Sequence, residues 1–161
     1  MSDPTDVKAL TADDIPLPAL LRHARYTYGG AMRKALDAAG YDDIPGNGLY
    51  IIGGLAIGLD IPLGQLLKEL RVSKQAGGQL VDVLVTRGYL DRKADPEDRR
   101  KLVVTLTERG QAAAATQKAA RMKVDADLAA IVGEDAVKST RRTLGALIDL
   151  GDALREADRD E

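Results

Sequence analysis

The sequence predicts a mainly α-helical fold with one small β-hairpin: a winged helix-turn-helix flanked by longer helices at both ends. Three observations predict it. Residues 87–110, RGYLDRKADPEDRRKLVVTLTERG, read as two short strands around a charged turn. Residues 62–86 carry two short amphipathic segments separated by a tight turn. Residues 19–39 and 111–158 keep helical periodicity with few breakers.

The hairpin follows from local chemistry. Tyr89–Lys93 forms the first strand. Ala94, Asp95, Pro96 and Glu97 turn the chain, Pro fixing φ and Asp bonding local backbone. Leu102, Val104 and Leu106 then point one way, and Lys101, Val103, Thr105 and Thr107 the other. Thr107-Glu108 starts the next helix, although Thr107 and Gly110 make no capping box. Arg92, Lys93, Arg99, Arg100 and Lys101 crowd the turn, which suits insertion into a nucleic-acid groove.

The segment before it has the matching shape. Pro62 opens a helix over Leu63–Leu70, Arg71-Val72 turns, and Ser73 is placed to N-cap a second helix. Leu80 and Leu84, with Val81 and Val85 beside them, make one apolar face. Lys74, Gln75 and Gln79 lie towards the other. Gln suits adenine and Lys suits guanine in a major groove. A helix N-terminus attracts anions, so capping and phosphate contact are compatible at Ser73.

At the ends, residues 1–14 are polar and expected to be loosely ordered. A helix over 19–39 is weakened by Gly29-Gly30 and stopped by Gly40. Residues 42–47 turn, and 48–58 form a short buried helix. A helix from Glu108 to about Ile131 is interrupted at Gly133. A last one covers Glu134–Glu156, with the acidic end fraying. The chain therefore reads as a single domain, with a winged lobe at 48–110. The helices at 19–39 and 111–158 carry more apolar surface than that lobe can cover, and a second copy is the simplest cover.

Composition narrows the function classes. The chain has 161 residues, no Cys and one His. Thiol catalysis, disulfides and cysteine metal sites are excluded. No cofactor motif stands out: GNGLYIIGG at 46–54 lacks both the dinucleotide fingerprint and the P-loop Lys-Ser/Thr. We expect no enzyme activity, no catalytic or metal-binding residues and no cofactor. No run is long and apolar enough to span a membrane and no signal peptide is evident, so a cytoplasmic location is expected. The net charge is −2, yet residues 65–110 hold ten Lys/Arg against seven Asp/Glu.

The segments LVDVLVTRGYLDR at 80–92 and DPEDRRKLVVTLTERG at 95–110 resemble the MarR family of bacterial transcription regulators. The family's wing carries an Asp-x-Arg pair, a Leu-Thr pair and a Gly three residues later. Here these are Asp98, Arg100, Leu106, Thr107 and Gly110. The resemblance implies a homodimer whose terminal helices interleave. It implies recognition helices in successive major grooves of a pseudo-palindromic operator in double-stranded DNA, and wings in adjacent minor grooves. It also implies release by a small-molecule effector. Arg100 would enter the minor groove with Asp98 holding its guanidinium, and Arg92, Lys93, Arg99 and Lys101 would meet phosphates.

The chain departs from the family where Ala76, Gly77, Gly78 and Gln79 replace hydroxyl, β-branched or Arg residues. Two readings stand: close approach to DNA, or a loose helix that firms on binding. His23, Tyr26, Tyr28 and Tyr50 are candidates for an effector pocket, and equally for structural roles. The alternative function is a winged-helix protein-interaction module with little or no DNA binding.

Overall fold

The computed structural model describes residues 11–57, 67, 73–94 and 102–160. The expected helix Leu63–Leu70 lies outside them except for Leu67, which is helical and buried. The Arg71-Val72 turn, the hairpin turn and residues 1–10 also lie outside. The chain packs as two compact units, residues 1–121 and 122–161.

The first unit begins with a 3-10 turn, Ala12–Asp14. The loose start expected for 1–14 is thus corrected at its end. The Thr11 backbone N–H and hydroxyl both donate to the Asp14 carboxylate, at 2.9 and 2.8 Å. These bonds hold the Asp14 carboxyl below its ordinary pKa, the backbone bond being the larger cause.

Helix α1 spans Leu17–Ala38, two residues earlier than the periodicity predicts. Pro18 sits inside its first turn, where a missing N–H breaks no helical bond. Gly29-Gly30 does not interrupt it. Gly40, at φ 80°, ends it. The Tyr41 N–H returns to the Leu36 carbonyl at 2.9 Å and the Gly40 N–H to Asp37 at 3.2 Å, a Schellman motif. Arg33 donates to the Ile44 and Pro45 carbonyls, fastening the following loop to α1. Helix α2, Gly48–Ala56, is the expected short helix, and Leu49, Ile51 and Ile52 are buried.

Helix α3 spans Lys74–Thr86, with the Ser73 hydroxyl accepting the Ala76 N–H at 3.1 Å. Val81 and Leu84 are its fully buried apolar side chains, flanked by the partly buried Leu80 and Val85. Strands β1 (Leu90–Ala94) and β2 (Leu102–Leu106) pair antiparallel, Leu90 opposite Leu106 and Ala94 opposite Leu102. The hairpin is shorter than expected at its base, because Tyr89 and Thr107 serve the adjacent helices instead.

Gly88, at φ 75°, closes α3 with a second Schellman motif: the Tyr89 N–H bonds the Leu84 carbonyl at 2.9 Å and the Gly88 N–H bonds Val85 at 2.9 Å. Tyr89 is thereby turned inward and is fully buried. Thr107 donates its hydroxyl to the Gly88 carbonyl at 2.6 Å and accepts the Gly110 N–H at 3.0 Å. It caps helix α4, Glu108–Val132, without a capping box. Gly110 lies directly on the Tyr89 carbonyl oxygen, with no room for a Cβ. Thr107 and Gly110, singled out by sequence as wing motif residues, are therefore the joint between hairpin and helix.

The core of this unit is Leu36, Ile44, Leu49, Ile51, Ile52, Leu67, Val81, Leu84, Leu90 and Val104, with Met32, Tyr89, Ala113 and Ala114. With no Phe or Trp in the chain, aliphatic side chains supply nearly all of it. Each large one contributes about 1.5–3 kcal/mol by leaving water.

In the second unit, Gly133 (φ 85°) separates the end of α4 from α5, Glu134–Asp160. The acidic end does not fray at 156: Ala153, Leu154, Glu156 and Ala157 are good helix formers with no breaker among them. Arg141 and Asp125 pair at 2.8 Å across the two helices. Met122, Leu128, Ile131 and Val132 on α4, and Leu147, Ile148, Leu150 and Leu154 on α5, are exposed.

Replacing Gly110 with Ala should destabilise the protein by about 1–3 kcal/mol, because the new methyl meets rigid backbone rather than a movable side chain. Urea denaturation of the variant checks this, and an unchanged midpoint would remove the joint described above.

Candidate nucleic-acid interface

The N-terminal half of α3 presents a polar surface. Ser73, Lys74, Gln75 and Gln79 are all exposed, and Asp82 extends the same side one turn on. The residues predicted to meet DNA from this helix are therefore together and accessible. Lys93 is exposed on β1, opposite Val103. Asp98, Arg99, Arg100 and Lys101 lie outside the described residues.

Arg92 is differently engaged. Its guanidinium is bonded to the Asp82 carboxylate, linking β1 to α3. Both side chains keep solvent contact, 38% and 60% exposed, so the pair adds little stability by itself. It does fix where Arg92 points and offsets the one acid on the outward side of α3.

A second polar cluster lies behind the hairpin base. Asp43, from the loop after α1, accepts the Tyr89 hydroxyl. Arg109, on the first turn of α4, donates to that hydroxyl at 2.8 Å and to the Asp43 carboxylate at 3.1 Å. Its guanidinium also stands 4.5 Å from the centre of the Tyr89 ring, a cation–π contact. Arg87 donates to the Asp43 backbone carbonyl. Tyr41 meets Tyr89 edge to face, with centroids 6.2 Å apart. The Tyr89 bond, more than the charges of Arg109 and Arg87, holds the Asp43 carboxyl below its ordinary pKa. Burial, then the bond to Asp43, raises the Tyr89 phenol. Sequence reasoning missed this cluster, since Asp43 and Arg109 are 66 positions apart.

The four effector candidates differ in exposure. His23 and Tyr26 are exposed on α1. Tyr28 and Tyr50 pack against the core from outside it, Tyr50 with the Arg25 guanidinium 4.6 Å from its ring centre. A cavity of about 460 Å³ opens elsewhere, between the end of α2, β2 and the first half of α4. Leu55, Val104, Leu106 and Ala114 make apolar walls, and Gln111, Lys118 and Arg121 bring polar groups. Thr105 also lines it, and its hydroxyl oxygen is buried without a hydrogen-bond partner. Gln117, on the same helix and almost fully buried, leaves both amide atoms unpaired. Buried polar groups of this kind are costly unless something binds them. Among the described residues no group of three His, Cys, Asp or Glu could hold a metal, and no helix could cross a membrane.

With this geometry in view, comparison with known proteins is specific. The sequence model of the MarR family matches residues 42–101. That segment runs from the Asp43 loop through α2, α3 and β1 and ends before β2. Over that segment the chain is similar to the MarR family. A Mycobacterium tuberculosis MarR family protein solved with salicylic acid is 26% identical, covering 85% of this chain and 99% of that one, with a TM-score of 0.60. Escherichia coli MarR in its reduced form is 22% identical over 83% and 96%, at 0.65. Streptococcus pneumoniae FabT, solved in complex with DNA, is 19% identical over 86% and 96%, at 0.70. The last two establish likeness of fold. No curated protein matches the sequence. The two-stranded hairpin after a capped helix is thus the winged helix-turn-helix arrangement that these solved structures share.

The Asp43 pairing carries a pH dependence. A carboxyl whose pKa is lowered by folding stabilises the protein above its unfolded pKa of about 3.8 and loses that contribution as pH falls through the lower folded value. The urea midpoint of the wild type should therefore fall below pH 4 more steeply than that of Asp43→Asn. Parallel pH profiles for the two proteins would show that the cluster contributes nothing to acid stability.

Proposed function

We propose that this MarR-like chain is a dimeric, DNA-binding transcription regulator, and that it represses until a small ligand releases it. The observation that carries the reading is the locked pairing of recognition helix and wing. The C-terminal end of α3 and the base of the hairpin are fastened to each other by Tyr89, Thr107 and the Arg92–Asp82 pair. A recognition helix and a wing can enter neighbouring grooves together only if their spacing is rigid.

In this reading Ser73 and the helix N-terminus contact phosphate, and Lys74, Gln75 and Gln79 address base edges. Lys93, Arg99 and Lys101 add phosphate contacts, and Arg100, oriented by Asp98, enters the minor groove. The exposed apolar side chains of α4 and α5 bury against a second copy, which sets two recognition helices about one helical turn apart, ~34 Å. FabT, CouR and MepR, all of this fold, are each solved with DNA, which supports the same partner here.

The effector would occupy the cavity beside β2 rather than the His23, Tyr26, Tyr28 and Tyr50 positions. Its apolar walls and the cations Lys118 and Arg121 suit an amphipathic anion, and the salicylic acid bound by the mycobacterial protein is of that class. Bound there, it would press on the strand that carries the wing.

Arg100→Ala should weaken binding to DNA from upstream of the chain's own gene by about tenfold to a hundredfold, with the dimer intact by size exclusion. The measurement is fluorescence anisotropy across a salt series, since phosphate contacts give a steep negative slope. Wild-type protein that binds neither this DNA nor scrambled DNA at low salt points instead to a protein-interaction module. Lys118→Met should blunt the release of DNA by added salicylate. An unaltered salicylate response would place the effector elsewhere.

A further inference from the structure

The adjacent glycines of α3 are not equivalent. Gly77 is buried, and a Cβ there would stand 2.5 and 2.6 Å from the two methyl carbons of Leu67. Its side chain is missing because Leu67 fills the space. Gly78 is the opposite case. Gly78 is half-buried, yet among the described residues a Cβ on it would meet nothing within 4 Å, and Gly78 is not among the positive-φ glycines. Neither packing nor backbone geometry asks for glycine, and helix propensity argues against it. The protein's own fold therefore explains Gly77 and leaves Gly78 unexplained.

Its neighbours show which surface is affected. Lys74 lies one turn before Gly78, Asp82 one turn after, and Gln75 and Gln79 beside it; all four are exposed. Asp82 is held by Arg92. Gly78 is thus a notch within the polar surface that carries the base-reading candidates. A helix with its side chains is about 10–12 Å across, and the major groove is about 12 Å wide. The clearance is so small that one absent side chain changes how deeply the helix seats.

We propose that Gly78 is a specificity-determining residue: its bare backbone lets α3 sit deep enough in the major groove for Gln75 and Gln79 to reach base edges. The proposal rests on the DNA-binding reading above and goes beyond it by separating two glycines that the sequence presents as a pair. It also predicts an inverse relation between stability and recognition at this one position. Filling the notch improves the helix and harms the contact.

The test uses the full chain with Gly78→Ala and Gly78→Leu. Thermal unfolding is measured beside anisotropy on a duplex from upstream of the chain's own gene and on scrambled duplex. Gly78→Ala should raise Tm by about 3 °C, and Leu, also a good helix former, should raise it as well. Affinity for the upstream duplex should fall about tenfold for Ala and further for Leu, while low-salt binding to scrambled duplex stays unchanged. Variants that gain stability and keep wild-type preference overturn the proposal, as does any loss of Tm, which would assign Gly78 a packing role. Wild-type protein without preference for the upstream duplex would instead overturn sequence-specific DNA recognition itself.

Discussion

The fold turns on Tyr89. Three elements meet at this residue: the end of α3, the first strand of the hairpin and the start of α4. Its N–H closes the Schellman motif of α3. Its carbonyl lies against Gly110 and accepts the Thr107 N–H at 3.1 Å. Its ring is buried with Tyr41, and its hydroxyl is shared between Asp43 and Arg109. A left-handed glycine, a threonine cap and a glycine with no room for a Cβ surround it. The first is local to the helix end, the other two act across the chain on Gly88 and Tyr89, and together they fix how the hairpin leaves the helix.

This arrangement changes how the positive charge of the winged segment is counted. Ten Lys/Arg lie between residues 65 and 110, but Arg87, Arg92 and Arg109 are committed to partners within the fold. The first and last brace the Tyr89 cluster, and Arg92 neutralises Asp82. The other seven are Lys68, Arg71, Lys74, Lys93, Arg99, Arg100 and Lys101, of which Lys74 and Lys93 are exposed. A field of that size suits a protein that relies on shape and base contacts as much as on general attraction.

Strand β2 serves two masters. Its pairing with β1 makes the hairpin, and Val104, Thr105 and Leu106 line the cavity against α2 and α4. Thr105 presents an unpaired hydroxyl oxygen there, among apolar walls and the polar groups of Gln111, Lys118 and Arg121. The strand that lines the cavity is thus the same strand that pairs to form the hairpin.

Much was legible in the sequence. Alternation gave the hairpin, apolar spacing gave α3, Ser73 gave its cap, and Gly40 and Gly133 marked helix ends, because each depends on neighbours a few residues away. The exposed Lys74, Gln75 and Gln79 were legible for the same reason. Only the tertiary structure decided that Arg92 faces Asp82, that Asp43 completes a cluster with Arg109, that Thr107 and Gly110 form a joint, and that Gly77 answers to Leu67 while Gly78 answers to nothing among the described residues. Those facts depend on residues far apart in the chain meeting in space, and no periodicity in the sequence records which of them will meet.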